Sequence, residues 1–178
     1  LLDEADIVVA HNGKAFDVRK VNARFSMNNM KPPSGYKVVD TLLAARQYFY
    51  FTSNKLTNLG KYLGLGEKVE TGGFGLWQRC MAGDKKAWEL MVKYCKNDIV
   101  LLEKIYLRLL PYIQNHPNLN VYIDEKELIC PNCESGRVIR HGHSYTAGGK
   151  YQRYQCLSCG TWFKGNSNLL EIKLAKRD

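Results

Sequence analysis

Two short cysteine pairs constrain this chain more than anything else in it. Cys130-Pro131-Asn132-Cys133 and Cys156-Leu157-Ser158-Cys159 are separated by 22 residues. Two such knuckles, each closely followed by a glycine (Gly136 and Gly160), can set four thiolates around one zinc ion. A segment of under about 40 residues cannot fold on apolar burial alone, and metal binding supplies on the order of 10 kcal/mol or more. The expectation is one Zn²⁺ on Cys130, Cys133, Cys156 and Cys159. The alternative is two disulfides or inert thiols. His141 and His143 are ligands in principle only, because four cysteines already fill the shell. Cys80 and Cys95 stand alone in helix-like sequence and read as small buried apolar residues. A secreted disulfide framework would not leave two thiols over, which points to a reducing, cytoplasmic setting.

The module Cys130–Phe163 resembles a zinc ribbon, particularly those near the N-termini of some insertion-sequence transposases. The motifs that carry the likeness are Val138-Ile139-Arg140-His141-Gly142, Lys150-Tyr151-Gln152-Arg153-Tyr154 and Cys159-Gly160-Thr161-Trp162-Phe163. The resemblance implies a structural zinc with no open position for catalysis. Arg140, Lys150, Arg153 and Lys164, interleaved with Tyr151, Tyr154 and Trp162, have the character of a nucleic-acid surface. The plainer alternative is a solvated hairpin whose aromatics fill the ribbon core.

Charge supports a polyanionic partner. The 178 residues carry 26 Lys+Arg against 17 Asp+Glu, a formal net charge of +9. The excess is +6 over residues 1–120 and +3 over 121–178, so it is not confined to one tail. Each phosphate neutralised by such a surface releases counterions. No run of about 18 apolar residues occurs, which excludes a transmembrane helix, and no membrane partner is expected. The opening Leu1-Leu2-Asp3-Glu4-Ala5-Asp6 has no initiator Met and no signal-peptide pattern, and reads as the middle of a helix.

The rest reads as α/β. Ile7-Val8-Val9-Ala10 is a buried strand, and Phe16, Val21 and Phe25 mark a helix. Residues 36–40 form a second strand, with a helix from Thr41 to about Phe49. Asn54 is a candidate cap for a helix carrying Leu56, Leu59 and Leu63, ended by Gly64. A polar, Gly-rich stretch precedes Leu76–Met81 and a long helical region from Lys85 to about Tyr112, with a break expected near Asn97. Strand–helix alternation with short connections gives an α/β layer over residues 1–115. A linker over 116–128, the ribbon over 129–165 and a tail over 166–178 follow.

Two carboxylates stand in informative places. Asp17 follows the first strand at a helix start, behind Asn12 and Phe16. Asp98 comes four residues after Tyr94, which places a phenol and a carboxylate on one helix face. A carboxylate there can anchor a divalent cation, and the tyrosine can orient a water. Together these residues resemble the DEDD superfamily of 3′–5′ exonucleases, in the tyrosine-type, predicted-exonuclease branch of the ribonuclease-H-like fold. Asn12, Phe16 and Asp17 match the second motif, Tyr94 and Asp98 the third, and Val39-Asp40-Thr41-Leu42 the segment after the second motif. The likeness covers about residues 1–113. It implies phosphodiester hydrolysis by two Mg²⁺ or Mn²⁺ ions, with Asp17 and Asp98 as ligands, Tyr94 positioning the attacking water and Asn12 near the nucleic acid.

One motif has no counterpart. Asp-x-Glu should stand before Ile7–Ala10, and no such tripeptide occupies that place. The chain therefore reads as the C-terminal part of an exonuclease from a microbial cell or phage-infected host, inactive alone, or as a degenerate homologue. Other residues have plainer roles: His11 at the strand end, Asp40 as a helix cap, Lys14 and Lys20 on an exposed face, Trp77 and Trp88 in the core. The competing functions are a non-catalytic nucleic-acid binder and a ribbon that docks on a protein.

Overall fold

The computed structural model describes residues 1–122 and 127–170, so part of the expected linker and the end of the expected tail lie outside them. The chain divides into two compact units, Leu1–Leu109 and Leu110–Asp178.

In the first unit, β1 (Ile7–Ala10) and β2 (Lys37–Asp40) pair in parallel, from Ile7 opposite Lys37 to Ala10 opposite Asp40. α1 (Asp17–Met27) connects them and contains no buried residue. α2 (Thr41–Tyr48), α3 (Leu56–Tyr62), α4 (Phe74–Met81) and α5 (Lys85–Leu109) follow. α5 organises the unit. Its residues Ala87, Met91, Leu101, Ile105 and Leu109 are buried, and with the half-buried Tyr94 and Asp98 between Met91 and Leu101 they fall at three- and four-residue steps, one stripe of a helix. α2, α3, α4 and β1 all pack on α5. The expected break at Asn97 is absent, because its side-chain amide reaches off the helix to the Glu67 carbonyl at 3.0 Å.

The turn after β1 is built by Asp40. One carboxylate oxygen accepts from the Asn12 N–H at 2.9 Å and, at the start of α2, from the Leu42 N–H at 3.0 Å and the Leu43 N–H at 3.4 Å. The other oxygen accepts from the Lys14 N–H at 3.1 Å. Asn12 holds φ 65°, and a Cβ on Gly13 would lie 2.3 Å from that of Ala10, so only glycine fits there. Asp40→Ala is expected to cost about 2–4 kcal/mol, since four amides lose their acceptor. Urea unfolding would measure it, and a loss under about 0.5 kcal/mol would contradict the assignment.

Three local expectations are corrected. The α3 cap is Lys55, without a side-chain bond, while Asn54 Oδ1 is buried with no partner among the described residues. Trp77 and Trp88 are about half exposed rather than core. Cys80 is buried, but Cys95 is exposed.

The second unit begins with two 3₁₀ turns, Leu110–Tyr112 and Leu119–Tyr122. Its antiparallel sheet runs in the order β3 (Val138–Thr146), β4 (Gly149–Cys156), β5 (Trp162–Asn168). β5 thus continues through residues 166–168, into the stretch expected as tail. There Asn168 Oδ1 accepts from the Lys150 N–H at 3.1 Å.

Candidate metal centre and active site

Cys130, Cys133, Cys156 and Cys159 form a single cluster, their sulfurs all within 4.8 Å of one another. Cys130 and Cys159 sulfurs lie 3.7 Å apart, as do those of Cys133 and Cys156. Zn–S bonds of about 2.3 Å in a tetrahedron require sulfur–sulfur edges of about 3.8 Å, whereas a disulfide needs about 2.05 Å. The spacing therefore fits a four-coordinate zinc and not two disulfides.

The two knuckles match bond for bond. The Glu134 N–H donates to the Cys130 carbonyl and the Gly160 N–H to the Cys156 carbonyl, both at 3.0 Å. Glu134 (φ 57°) and Gly160 (φ 84°) take the same left-handed turn. The first knuckle thus turns at Glu134 rather than at the expected Gly136. The Asn132 N–H points at the Cys130 sulfur at 3.5 Å, and the Thr161 hydroxyl lies 3.2 Å from that of Cys159. Burial pushes the Cys130 thiol up to about 11 and raises Cys133 as well. Burial also works to raise Cys156, but the backbone N–H groups of Cys159 and Ser158 outweigh it and hold that thiol at about 7. Zinc binds thiolates, so it would displace the protons that burial otherwise keeps on Cys130 and Cys133.

The basic ribbon residues divide between two faces. Successive residues of a strand face opposite sides and directly opposed residues share a face; the pairings of β4 also carry register shifts, between Arg140 and His143 with β3 and between Tyr151 and Arg153 with β5. Arg153 therefore sits with Tyr151 and Gln155, with Trp162 opposite Gln155 and Lys164 opposite Arg153. Its guanidinium lies 5.0 Å from the Trp162 ring centre, and the Lys164 ammonium 4.1 Å from that of Tyr151. Lys150 lies on the other face, which also carries Tyr154 and, opposite it, Arg140. His141 and His143 stand outside the sulfur cluster: His141 meets Trp162 edge-on at 4.9 Å, and His143 lies beside Tyr145.

In the first unit, Tyr94 and Asp98 continue the buried stripe of α5. Tyr94 packs against the cluster of Leu76, Cys80, Ala87 and Met91 that joins α4 to α5. Both polar groups meet Lys68, which no motif singled out. Its ammonium donates to Asp98 Oδ2 at 2.7 Å and to the Tyr94 hydroxyl at 3.1 Å. Burial alone would lower the Lys68 pKa, but these two partners outweigh it and raise it above the usual lysine value. Asp98 Oδ1 is buried without a hydrogen-bond partner among the described residues. A dication at this carboxylate would have to take the place of the Lys68 ammonium, since two cations on one carboxylate repel each other.

Asp17 is exposed at the first position of α1, and no hydrogen bond or ion pair links it to Asp98 among the described residues. Nor do three or more Asp, Glu or His side chains gather there; the cysteine cluster is the sole such group among the described residues. Asn12 lies in the turn held by Asp40, and His11 Nδ1 bonds the Thr41 hydroxyl at 2.9 Å. Asp40, with both oxygens on backbone N–H groups, is the expected helix cap.

An α/β unit with a Tyr–Asp pair on its central helix, followed by a four-cysteine sheet, has the parts of a nuclease scaffold with an appended metal module. The family model described as the RNase_H superfamily matches residues 1–110, and the chain belongs to that superfamily. No curated protein and no solved structure matches the chain significantly. No helix among the described residues is long and apolar enough to cross a membrane.

Proposed function

We propose that this chain carries the catalytic part of a metal-dependent 3′–5′ exonuclease and that its zinc ribbon helps to hold nucleic acid. The observation that carries the reading is the Tyr94–Asp98 pair on the buried stripe of α5, inside a unit of the RNase H superfamily. Asp98 and Asp17 would hold Mg²⁺ or Mn²⁺, which in a two-ion site stabilises both the attacking and the leaving oxygen. Tyr94, fixed by packing, directs its hydroxyl to the same carboxylate region and would orient the attacking water. Asn12 is placed for the strand beside Asp17. Two carboxylates are too few for two ions, so the complete site would need further acidic ligands.

The test is single-stranded DNA or RNA labelled at the 5′ end, incubated with the protein extended by the residues encoded ahead of Leu1. Shortening from the 3′ end in Mg²⁺ or Mn²⁺, and none in EDTA, is the expected result. Absence of an Asp-x-Glu in that extension, with no cleavage, would leave the second reading: a nucleic-acid binder on a nuclease scaffold. What favours it is the ribbon face on which Arg153 and Lys164 lie over Trp162 and Tyr151.

Both readings require the ribbon to bind phosphates. Replacing Arg140, Lys150 and Arg153 with Ala is expected to flatten the salt dependence of binding by about 0.7 in log–log slope per lost single-strand contact. An unchanged affinity and slope would instead favour a ribbon that docks on a protein.

A further inference from the structure

The first unit opens a cleft of about 600 Å³ that meets the motif residues only at Asn12 in its wall and, through Lys68, at Asp98. It is lined by Arg46 of α2, Lys55 at the start of α3 and Lys68, together with His11, Asn12 and Ser53. No acidic residue lines it. Three cations converge on one concavity, and among the described residues only Lys68 has an anionic partner, the Asp98 carboxylate at 2.7 Å. Arg46 and Lys55 are exposed, so neither is required to fill the core. Like charges gathered in a cleft raise the local potential and attract anions. The volume lies within the range of ligand clefts and exceeds what one bare anion needs.

We propose that this cleft is a phosphodiester subsite: Arg46 and Lys55 grip backbone phosphate of the strand whose reacting end lies at Asp98, and Lys68 joins the two regions. The proposal rests on the exonuclease reading for its ligand but not for its geometry. The hydroxyl and amide groups of Ser53 and Asn12 supply neutral donors to the same strand. Because the contacts are to phosphate, the subsite holds a strand without reading its bases.

Binding can be measured in EDTA with the 178-residue chain, which separates this claim from catalysis. A fluorescent ten-residue oligothymidylate is titrated by anisotropy at several salt concentrations, against wild type, Arg46→Ala, Lys55→Ala and the double variant. The double variant is expected to bind roughly tenfold more weakly, with a log–log salt slope flatter by about 1.4, two single-strand contacts at 0.7 each. Circular dichroism and melting temperature should match wild type. Backbone amide shifts of Thr52, Ser53 and Thr57 on titration place the strand in the cleft. Inorganic phosphate and thymidine monophosphate form the second arm. Shifts in these amides with either small molecule but none with the oligonucleotide would overturn the strand assignment. Unchanged affinity and slope in a folded double variant would overturn the subsite. Loss of metal-dependent cleavage in the extended protein, with binding intact, would sink the exonuclease reading and leave this one standing.

Discussion

Stripping zinc from the cysteine module is expected to unfold residues 129–168 while Leu1–Leu109 keeps its helices. The three strands have little apolar interior: within that stretch Ile129, Cys130 and Cys156 are the buried apolar residues, and two of them belong to the cysteine cluster. The folding free energy at stake is on the order of 10 kcal/mol, far more than so small a sheet can supply otherwise. Purified protein should release one zinc per chain to a chromophoric indicator. Amide exchange in β3–β5 should then collapse, with α5 still protected. Cys156→Ser should reproduce the effect. Acid should act in the same direction, because protons compete for thiols that burial already makes reluctant to ionise, Cys130 near 11 among them. Persistence of exchange protection in the sheet after complete metal removal would refute the assignment.

In the extended protein, Asp98→Asn and Asp17→Asn are each expected to lower cleavage by 10³-fold or more, roughly the loss when a group essential to the chemistry is removed. Tyr94→Phe should cost about 10²-fold, since it deletes the water-orienting hydroxyl and leaves the carboxylates. The order of severity separates chemistry from folding. Asp98 has its Oδ2 on Lys68 and Oδ1 on nothing, so the amide variant loses an ion pair but keeps its shape. Manganese binding followed by its paramagnetic effect on the spectrum should weaken for both Asp variants and persist in Tyr94→Phe. A folded Asp98→Asn protein with wild-type cleavage would exclude that carboxylate from the reaction.

The elements that sequence alone shows are those whose signal is local. β1, β2 and α2 stand where apolar runs and the Asp40 cap place them, because one strand and one capping carboxylate decide their ends. The cysteine cluster follows from spacing alone. Errors arose where one residue of offset matters. Trp88 and Cys95 each follow a stripe position of α5, Ala87 and Tyr94, and a helix turns about 100° per residue, which carries both outward. The same step, 180° in a strand, splits the ribbon's basic residues between faces. Lys68 was missed for a different reason. Its carboxylate partner is 30 residues away, and the Gly-rich stretch that holds it has no periodicity to read. Nor could a sequence pattern gather Arg46, Lys55 and Lys68, which come from three separate segments.

The carboxylate at position 98 interrupts a stripe that is otherwise made of Ala87, Met91, Leu101, Ile105 and Leu109. A leucine there would continue the stripe but leave the Lys68 ammonium without its anion. One oxygen is buried bare, and the other is neutralised by a lysine borrowed from a loop. If Asp98 binds metal as proposed, loss of chemistry would free position 98 to change together with Lys68, whereas Asp40, whose oxygens hold the backbone, would be kept in an inert descendant as firmly as in a working enzyme. Which of these two aspartates a divergent copy retains thus records whether it still performs chemistry or merely keeps its shape.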